Sequence, residues 1–184
     1  MLLGFVRARE ALFYYNSHNA TFGFILSHIK SVSFSASGLF MIEVVSSKNL
    51  KEVLPLIRSY QAFYNVADIN DSNNHQFFSQ FGEESDAGCL FGYRVGQKMV
   101  AFATVYFSFS STIASKVAVM NDLYIDPDYR RQGIAKTLIL HCEQYGRSKG
   151  AARLQWVTAA DNLPAQSLYL SMGAKQSSWE HYAL

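Results

Sequence analysis

One stretch of the chain combines residue types that suit phosphate binding. Residues 121–136, NDLYIDPDYRRQGIAK, run from an apolar, β-favouring segment through Pro127 into a basic turn, and a helical pattern follows directly. The free N–H groups of a first helical turn and the helix dipole both attract an anion. Gly133 permits close backbone approach, while Arg130 and Arg131 can neutralise two phosphates. The stretch therefore predicts a turn that holds phosphate.

Two motifs, one in this stretch and one further along the chain, resemble a known enzyme family. Arg130-x-x-Gly133-x-Ala135 resembles the acyl-CoA pyrophosphate loop, Q/R-x-x-G-x-G/A, of the GNAT superfamily of N-acetyltransferases. A later segment resembles the family's second motif: Asn162-x-x-Ala165-x-x-Leu168-Tyr169-x-x-x-Gly173-Ala174. The resemblance is specific between residues 119 and 173 and extends weakly back to residue 41. It implies acetyl-CoA as co-substrate and acetyl transfer to an amine.

The resemblance also implies where acetyl-CoA would lie. The strand through residues 123–125 would leave backbone groups free to pair with the pantetheine arm, and an N–H near Leu123 or Tyr124 would donate to the oxyanion. The pyrophosphate would rest on the amides of residues 131–136. Asn162, which also suits a plain helix N-cap, would hydrogen-bond the pantetheine arm. The implied cofactor-binding residues are Leu123, Tyr124, Ile125, Arg130, Arg131, Gln132, Gly133, Ile134, Ala135, Lys136, Asn162 and Tyr169.

Acetyl transfer also needs an acid for the departing thiolate and a base for the amine. Tyr169 matches the family tyrosine that acts as general acid near the CoA sulfur; packing under the sheet is the alternative. Relatives often place a glutamate on the strand face of Leu123, where this chain has Asn121, which cannot take a proton. Asp122 is acidic, but strand alternation turns it to the opposite face unless a β-bulge reorients it. Tyr169, Asn121 and Asp122 are thus the candidate catalytic residues, and a base acting through water is an alternative.

Hydrophobic periodicity predicts the elements that must position these residues. In order, the pattern predicts a strand over 42–45, a helix through 50–60, a helix over 73–81, a hairpin of 89–94 and 99–109, a strand over 116–125, a helix after 135, a strand over 154–158, a helix over 162–173 and a last strand over 179–184. This order predicts an α+β domain, and the resemblance implies the GNAT fold, with a mixed, mostly antiparallel sheet flanked by helices.

The composition limits the class of protein. The chain has 184 residues, 49% of them hydrophobic and 16% charged, which predicts a compact domain rather than a disordered chain. The net charge of +2 gives no footprint for nucleic acid, and no stretch is long and apolar enough to span a bilayer. The histidines and the two cysteines lack metal-ligand spacing. We therefore expect a cytoplasmic enzyme with no metal, no nucleic-acid partner and no membrane attachment.

The first forty residues differ from the rest of the chain. Residues 1–40 keep no sustained hydrophobic period, and their three basic residues and one acidic residue carry the whole net charge. A strand-like segment opens at residue 41. We expect residues 1–40 to be an N-terminal extension, disordered or translated from a mis-assigned start, and residues 41–184 to form the N-acetyltransferase domain.

The acceptor is predicted from a finer resemblance within the superfamily. Residues 122–139 and 168–174 are similar to the branch of spermidine/spermine acetyltransferases and small yeast histone, polyamine and D-amino-acid acetyltransferases. This favours a primary amine of a small molecule, polyamine-like or amino-acid-like, that attacks acetyl-CoA directly in a ternary complex. The alternatives are a protein lysine or N-terminal acetyltransferase and a non-catalytic acyl-CoA-binding module. A homodimer is a further expectation.

Two side-chain clusters bear on the acceptor. Five aromatic residues are expected to pack helices onto the sheet, with a wall of the acceptor site as the alternative: Phe63, Tyr64, Phe77, Phe78 and Phe81. An acidic cluster suits a solvated loop, or would attract a cationic substrate if it lay beside the acceptor: Glu83, Glu84 and Asp86.

Overall fold

The computed structural model describes residues 40–178. The predicted extension over residues 1–40, apart from Phe40, and the predicted last strand over 179–184 lie outside the described residues, so both stay predictions. No helix among the residues described has the length and apolar character needed to cross a membrane. The elements are β1 (Phe40–Val44), α1 (Leu50–Phe63), α2 (Asp71–Phe78), β2 (Gly88–Val95), β3 (Lys98–Ser110), β4 (Ser115–Ile125), α3 (Ile134–Ser148), β5 (Leu154–Gln155) and α4 (Leu163–Ser171).

These strands form one five-stranded sheet in the order β1-β2-β3-β4-β5. The first four strands are antiparallel neighbours, and β5 pairs parallel to β4. The predicted hairpin is confirmed, because β2 and β3 pair from Val95↔Lys98 onward across the turn at Gly96. The predicted α+β class and the mixed, mostly antiparallel sheet are likewise confirmed.

Helices cover both faces of the sheet. On the α1 side, Leu50 and Ile57 pack with Phe102 and with Phe78 of α2. On the α3 side, Leu138 packs with residues of the central strands. Residues 99–105 of β3 are buried throughout, as expected for a central strand with both faces covered.

The strand β5 is shorter than predicted. The sequence predicts a strand over 154–158, but pairing with β4 stops at Val119↔Gln155. Trp156 instead packs edge-on against Tyr169 of α4, with the ring centroids 5.2 Å apart. The edge of β4 beyond Val119 therefore has no strand beside it among the described residues.

A β-bulge interrupts β4 where the catalytic candidates lie. Thr104 pairs with Asp122 and Val105 with Met120, so Asn121 is the extra residue. Asn121 and Asp122 consequently lie on one face, the α1 side, whereas Leu123 packs into the core on the α3 side. The expectation that Asn121 shares the face of Leu123 is therefore wrong, because strict alternation ends at the bulge.

Candidate active site

The predicted phosphate turn leads into the N-terminus of α3. Arg131 and Gly133 both adopt left-handed backbone conformations, with φ of 62° and 81°. Gly133 is the N-cap, and no side chain among residues 40–178 caps the helix. Within the described residues, the amides of Ile134, Ala135 and Lys136 have no acceptor. A first helical turn with free N–H groups beside two arginines and a lysine is suited to bind an anion.

The unpaired edge of β4 presents backbone groups to the same region. Asp126 N–H donates to Val100 O of β3 at 2.8 Å, so alternation directs the N–H groups of Leu123 and Ile125 away from β3. Arg130 Nε donates to Ile125 O at 3.1 Å on that outer edge. Of the two predicted oxyanion donors, Leu123 thus has its N–H on the open edge, and Tyr124 has its N–H toward β3.

A cavity of about 500 Å³ joins these features. It lies between β4, the turn before α3, the end of α1, residues 156–158 and α4. Among the predicted site residues, Gln132 and Asp122 do not line it. The predicted residues that do are Asn121, Leu123, Tyr124, Ile125, Arg130, Arg131, Gly133, Ile134, Ala135, Lys136, Asn162 and Tyr169. The structure therefore brings the two sequence motifs together around one space.

Aromatic residues from α1 form the other end of this cavity. Tyr60, Phe63 and Tyr64 line it, with Tyr64 edge-on to both Tyr60 and Phe63 at centroid separations of 5.1 Å. Phe63 and Tyr64 thus line the cavity, and their role as a wall of the acceptor site stays a prediction. The remaining three aromatic candidates lie elsewhere: Phe78 and Phe81 are buried in the core, and Phe77 is half exposed outside the cavity.

Tyr169 of α4 enters the cavity opposite the tyrosines of α1. Burial raises the pKa of Tyr169 above that of a free phenol, and the neighbouring Tyr64 raises it further. The hydroxyl of Tyr169 therefore stays protonated at neutral pH and can donate a proton. Asn162 caps α4 by accepting a hydrogen bond from Ala165 N at 3.4 Å while also lining the cavity, so its two predicted roles are compatible.

Asn121 and Asp122 form a polar cluster between the cavity and β3. Tyr106 Oη donates to Asn121 Oδ1 at 3.2 Å, and Asn121 Nδ2 donates to Asp122 Oδ1 at 3.1 Å. Burial raises the pKa of Asp122, and this is partly offset by Thr104, Asn121 and Tyr60, in that order, through hydrogen bonding. Within residues 40–178, Asp122 Oδ2 and Thr104 Oγ1 are buried without a hydrogen-bond partner, so neither the Thr104 nor the Tyr60 hydroxyl forms a bond of full geometry with Oδ2.

The acidic cluster lies at the far end of the domain. Lys149, just past the C-terminus of α3, donates to Glu83 O at 3.4 Å, whereas the cavity holds the N-terminus of that 15-residue helix. None of Glu83, Glu84 and Asp86 lines the cavity. The idea that they attract a substrate beside the acceptor site is therefore wrong. No group of three or more potential metal-ligating side chains occurs in residues 40–178.

A model of the Acetyltransferase (GNAT) family matches residues 54–174, the segment that contains the cavity walls. The chain belongs to the GNAT acetyltransferase family. It is accordingly an N-acetyltransferase of this family, as the two motifs predicted.

Two relatives are similar to this GNAT acetyltransferase over different lengths. The uncharacterised N-acetyltransferase YhfO of Bacillus subtilis is 25% identical over 144 residues, covering 78% of this chain and 95% of YhfO. A thialysine N-epsilon-acetyltransferase of Caenorhabditis elegans is 32% identical over 102 residues, covering 55% of this chain and 54% of that protein. Against the second relative, this chain thus spans about half the length.

A solved structure agrees on the fold of the GNAT domain. The aminoglycoside N-acetyltransferase AAC(6')-Iy, in complex with CoA, superposes with a TM-score of 0.68 at 16% identity. The alignment covers 80% of this chain and 95% of that one. At this level of identity the likeness concerns the fold.

Three residues of this GNAT site have no role in the sequence motifs. Tyr60 belongs to an apolar helix face in the sequence, and its position near the end of that face is the only signal that it could reach the cavity. Tyr106 reaches Asn121 through cross-strand pairing, and Trp156 reaches Tyr169 after β5 ends. These two contacts depend on tertiary structure, so no local pattern indicates them.

Proposed function

We propose that this GNAT acetyltransferase transfers the acetyl group of acetyl-CoA to a primary amine of a small molecule, by direct attack in a ternary complex. One observation carries the proposal: a single cavity connects the anion-binding N-terminus of α3, the open edge of β4 and the aromatic residues of α1 and α4. A cofactor with a pyrophosphate, an extended arm and a terminal thioester has one part for each of these three surfaces, in the same order.

Acetyl-CoA is proposed to bind mainly through backbone groups. The pyrophosphate lies on the amides of Ile134, Ala135 and Lys136, with Arg130 and Arg131 neutralising its charge. The pantetheine arm pairs with the free edge of β4 and contacts Asn162. The CoA complex of AAC(6')-Iy supports this choice of cofactor, because the two proteins share a fold.

The thioester then lies between the two ends of the cavity. The neutral amine attacks the carbonyl carbon, and the Leu123 N–H donates to the oxyanion that develops. As the C–S bond breaks, the hydroxyl of Tyr169 protonates the departing thiolate. Tyr169 is proposed as the acid because its phenol is protonated at neutral pH and lies on the acceptor side of the cavity.

The acceptor is proposed to be a small, amino-acid-like amine in preference to a polyamine. The described lining of the cavity includes Arg130, Arg131 and Lys136 but no carboxylate, so the second ammonium of a polyamine has no ion-pair partner there. Tyrosine faces can hold a single ammonium by cation–π attraction. The thialysine acetyltransferase relative supports an amino-acid-like amine. A homodimer and a cytoplasmic location complete the proposal.

An amine panel tests this function directly. The purified chain is mixed with acetyl-CoA and, separately, thialysine, spermidine, a lysine peptide and a peptide with a free N-terminus, and CoA release is followed. The expected result is turnover with thialysine above spermidine. Turnover with a peptide alone would favour the protein acetyltransferase, and binding of acetyl-CoA without any turnover would favour the non-catalytic module.

The role of Tyr169 gives a second test. Tyr169→Phe is expected to lower kcat by about 100-fold, since general acid catalysis contributes on the order of 10²–10⁴. Its dissociation constant for acetyl-CoA, measured by calorimetry, is expected to stay unchanged. Tyr145→Phe is the matched control, because Tyr145 lies outside the cavity and packs against Phe91 at 5.1 Å. Equal kcat values for the two variants would contradict the assignment.

A further inference from the structure

A buried carboxyl group lies beneath the acceptor end of the cavity. Asp122 is 5% exposed and does not line the cavity itself. Its Oδ1 accepts from Asn121, whereas its Oδ2 is buried and has no hydrogen-bond partner in the part of the chain that the structure describes. Burying a carboxylate oxygen in this way costs free energy, so such a group in a folded domain calls for a functional reason.

Tyr60 lies beside this carboxyl group, because its ring packs against Phe102 and Tyr124, each two residues along its strand from the Thr104–Asp122 pair. It lines the cavity, and the negative charge of Asp122 is close enough to raise the pKa of Tyr60 in addition to the effect of burial. Its ring is held by edge contacts with Tyr64, Phe102 and Tyr124 at 5.1, 5.9 and 6.2 Å. The phenol is therefore fixed in a wall that has the acceptor space on one side and Asp122 on the other.

We propose that Asp122 accepts the proton of the acceptor ammonium through the hydroxyl of Tyr60. This rests on the proposed function, because the amine must enter the aromatic end of the cavity. An ammonium proton moves to Tyr60 Oη while the phenolic proton passes to Asp122 Oδ2, which leaves a neutral amine. Hydroxyl contacts that are long in the free enzyme shorten when substrate closes a site.

The proton balance closes over one turnover. The neutral amine forms the C–N bond. When the C–S bond breaks, Tyr169 donates its proton to sulfur and takes a proton from the nitrogen of the intermediate in return. The products are the amide and CoA thiol. Asp122 then returns its proton through Tyr60 to the solvent, so one proton is released for each ammonium that is acetylated.

The β-bulge at Asn121 prepares Asp122 for this role. By placing two consecutive side chains on one face, it lets the Asn121 amide occupy Asp122 Oδ1 and leave Oδ2 free to take the proton. Tyr106 fixes the orientation of that amide, because its hydroxyl donates to Asn121 Oδ1. Asn121 thus acts as a positioning residue for Asp122.

The surroundings of Asp122 decide whether kcat/KM rises or falls with pH. The titratable side chains beside it or in the adjoining cavity wall are tyrosines: Tyr60 on α1, Tyr64 just past the end of α1, Tyr106 on β3, Tyr124 on β4 and Tyr169 on α4. Burial raises the pKa of the carboxyl above its ordinary 3.8. Asp122 must be ionised to accept a proton, so kcat/KM rises as the pH rises through this raised pKa.

The test compares pH profiles of kcat/KM for acetyl-CoA and thialysine. Asp122→Asn and Tyr60→Phe are each expected to lower kcat by about 100-fold at neutral pH with an unchanged KM for acetyl-CoA. Both variants are expected to lose the acidic limb set by Asp122 and to follow only the pKa of the amine. Adding Asn121→Glu to Asp122→Asn is expected to restore most of the rate, since it offers a carboxylate to the cavity directly.

The possible outcomes distinguish a failure of the proton relay from a failure of the proposed function. Tyr145→Phe, a phenol lost outside the cavity, should retain the full profile. Acetylation by the unsubstituted chain with an acidic limb that survives in either Asp122→Asn or Tyr60→Phe would overturn the relay alone. Failure of the unsubstituted chain to acetylate any amine in the panel would instead overturn the proposed function, and the relay with it.

Discussion

The two ends of the cavity offer different parts of the chain to the ligands proposed for them. At the α3 end, the groups proposed to bind the cofactor are amides of one continuous turn, ordered by Gly133 and followed by a helix. At the α1 end, they are side chains of Tyr60, Tyr64 and Tyr169, brought from two helices far apart in sequence. Backbone binding depends on local conformation, whereas side-chain binding depends on packing. Substitutions should therefore act differently at the two ends.

The largest effect is expected at the backbone end. Gly133→Asp should weaken CoA binding by about 100-fold or more, equivalent to about 2.7 kcal/mol. It places a carboxylate where the phosphates are proposed to bind and forces a side chain into a left-handed conformation at φ 81°. Isothermal titration with CoA measures the change.

The opposite end of the same helix provides a matched control for Gly133→Asp. Gly150 has a φ of 83°, and a side chain at either glycine would meet open space. Gly150→Asp thus imposes the same backbone strain and the same charge away from the cavity. We expect it to keep the CoA affinity of the parent chain. An equal loss in both variants would attribute the effect to strain and contradict anion binding at the N-terminus of α3.

A smaller effect is expected at the aromatic end. Tyr64→Ala should raise KM for the amine by about tenfold, because a cation–π contact contributes on the order of 1–2 kcal/mol. The affinity for CoA should not change, since Tyr64 lies on the acceptor side. Steady-state kinetics with the amine identified by the panel measure the effect. Phe77→Ala removes an aromatic ring of similar exposure outside the cavity and should leave KM unaltered; a shared increase would contradict a specific acceptor wall.

The same contrast explains which parts could be predicted from the sequence. The turn from Arg130 to Lys136 is local: a strand, a glycine and a helix in succession are enough to place free amides. The hairpin and the order of elements follow from periodicity in the same way. These are the confirmed parts of the fold, and they include most of the residues around the α3 end of the cavity.

The α1 end of the cavity depends on long-range structure. The bulge at Asn121 arises from the register of β4 on β3, and one extra residue reverses which side chains share a face. The cavity wall at Tyr60 requires α1 to end opposite α4. The departure of Trp156 from β5 depends on its packing against Tyr169. No short window of sequence contains both partners of any of these contacts, so the facing of Asn121 was predicted wrongly.

The smallest effect concerns the stability cost of the buried carboxyl group. The folded-state pKa of Asp122 lies above its ordinary 3.8, so the folded chain holds this proton more tightly than the unfolded chain. Stability therefore falls as the pH rises through that interval. Asp122→Asn removes this cost and is expected to raise the Tm at neutral pH by about 2–4 °C, the change that ~1 kcal/mol produces in a domain of this size. Thermal melts across a pH series measure it.

Asp126 supplies a control of opposite sign for this stability measurement. A hydrogen bond from Lys98, with Nζ at 2.9 Å from Oδ2, lowers the pKa of Asp126, so its stabilising effect is present at neutral pH and is lost as the pH falls. Asp126→Asn should hence lower the Tm at neutral pH, and both differences should vanish toward the acidic end of the series. A lower Tm for Asp122→Asn at neutral pH would mean that this carboxylate stabilises the fold, and Asp122 would then have a structural role instead of a catalytic one.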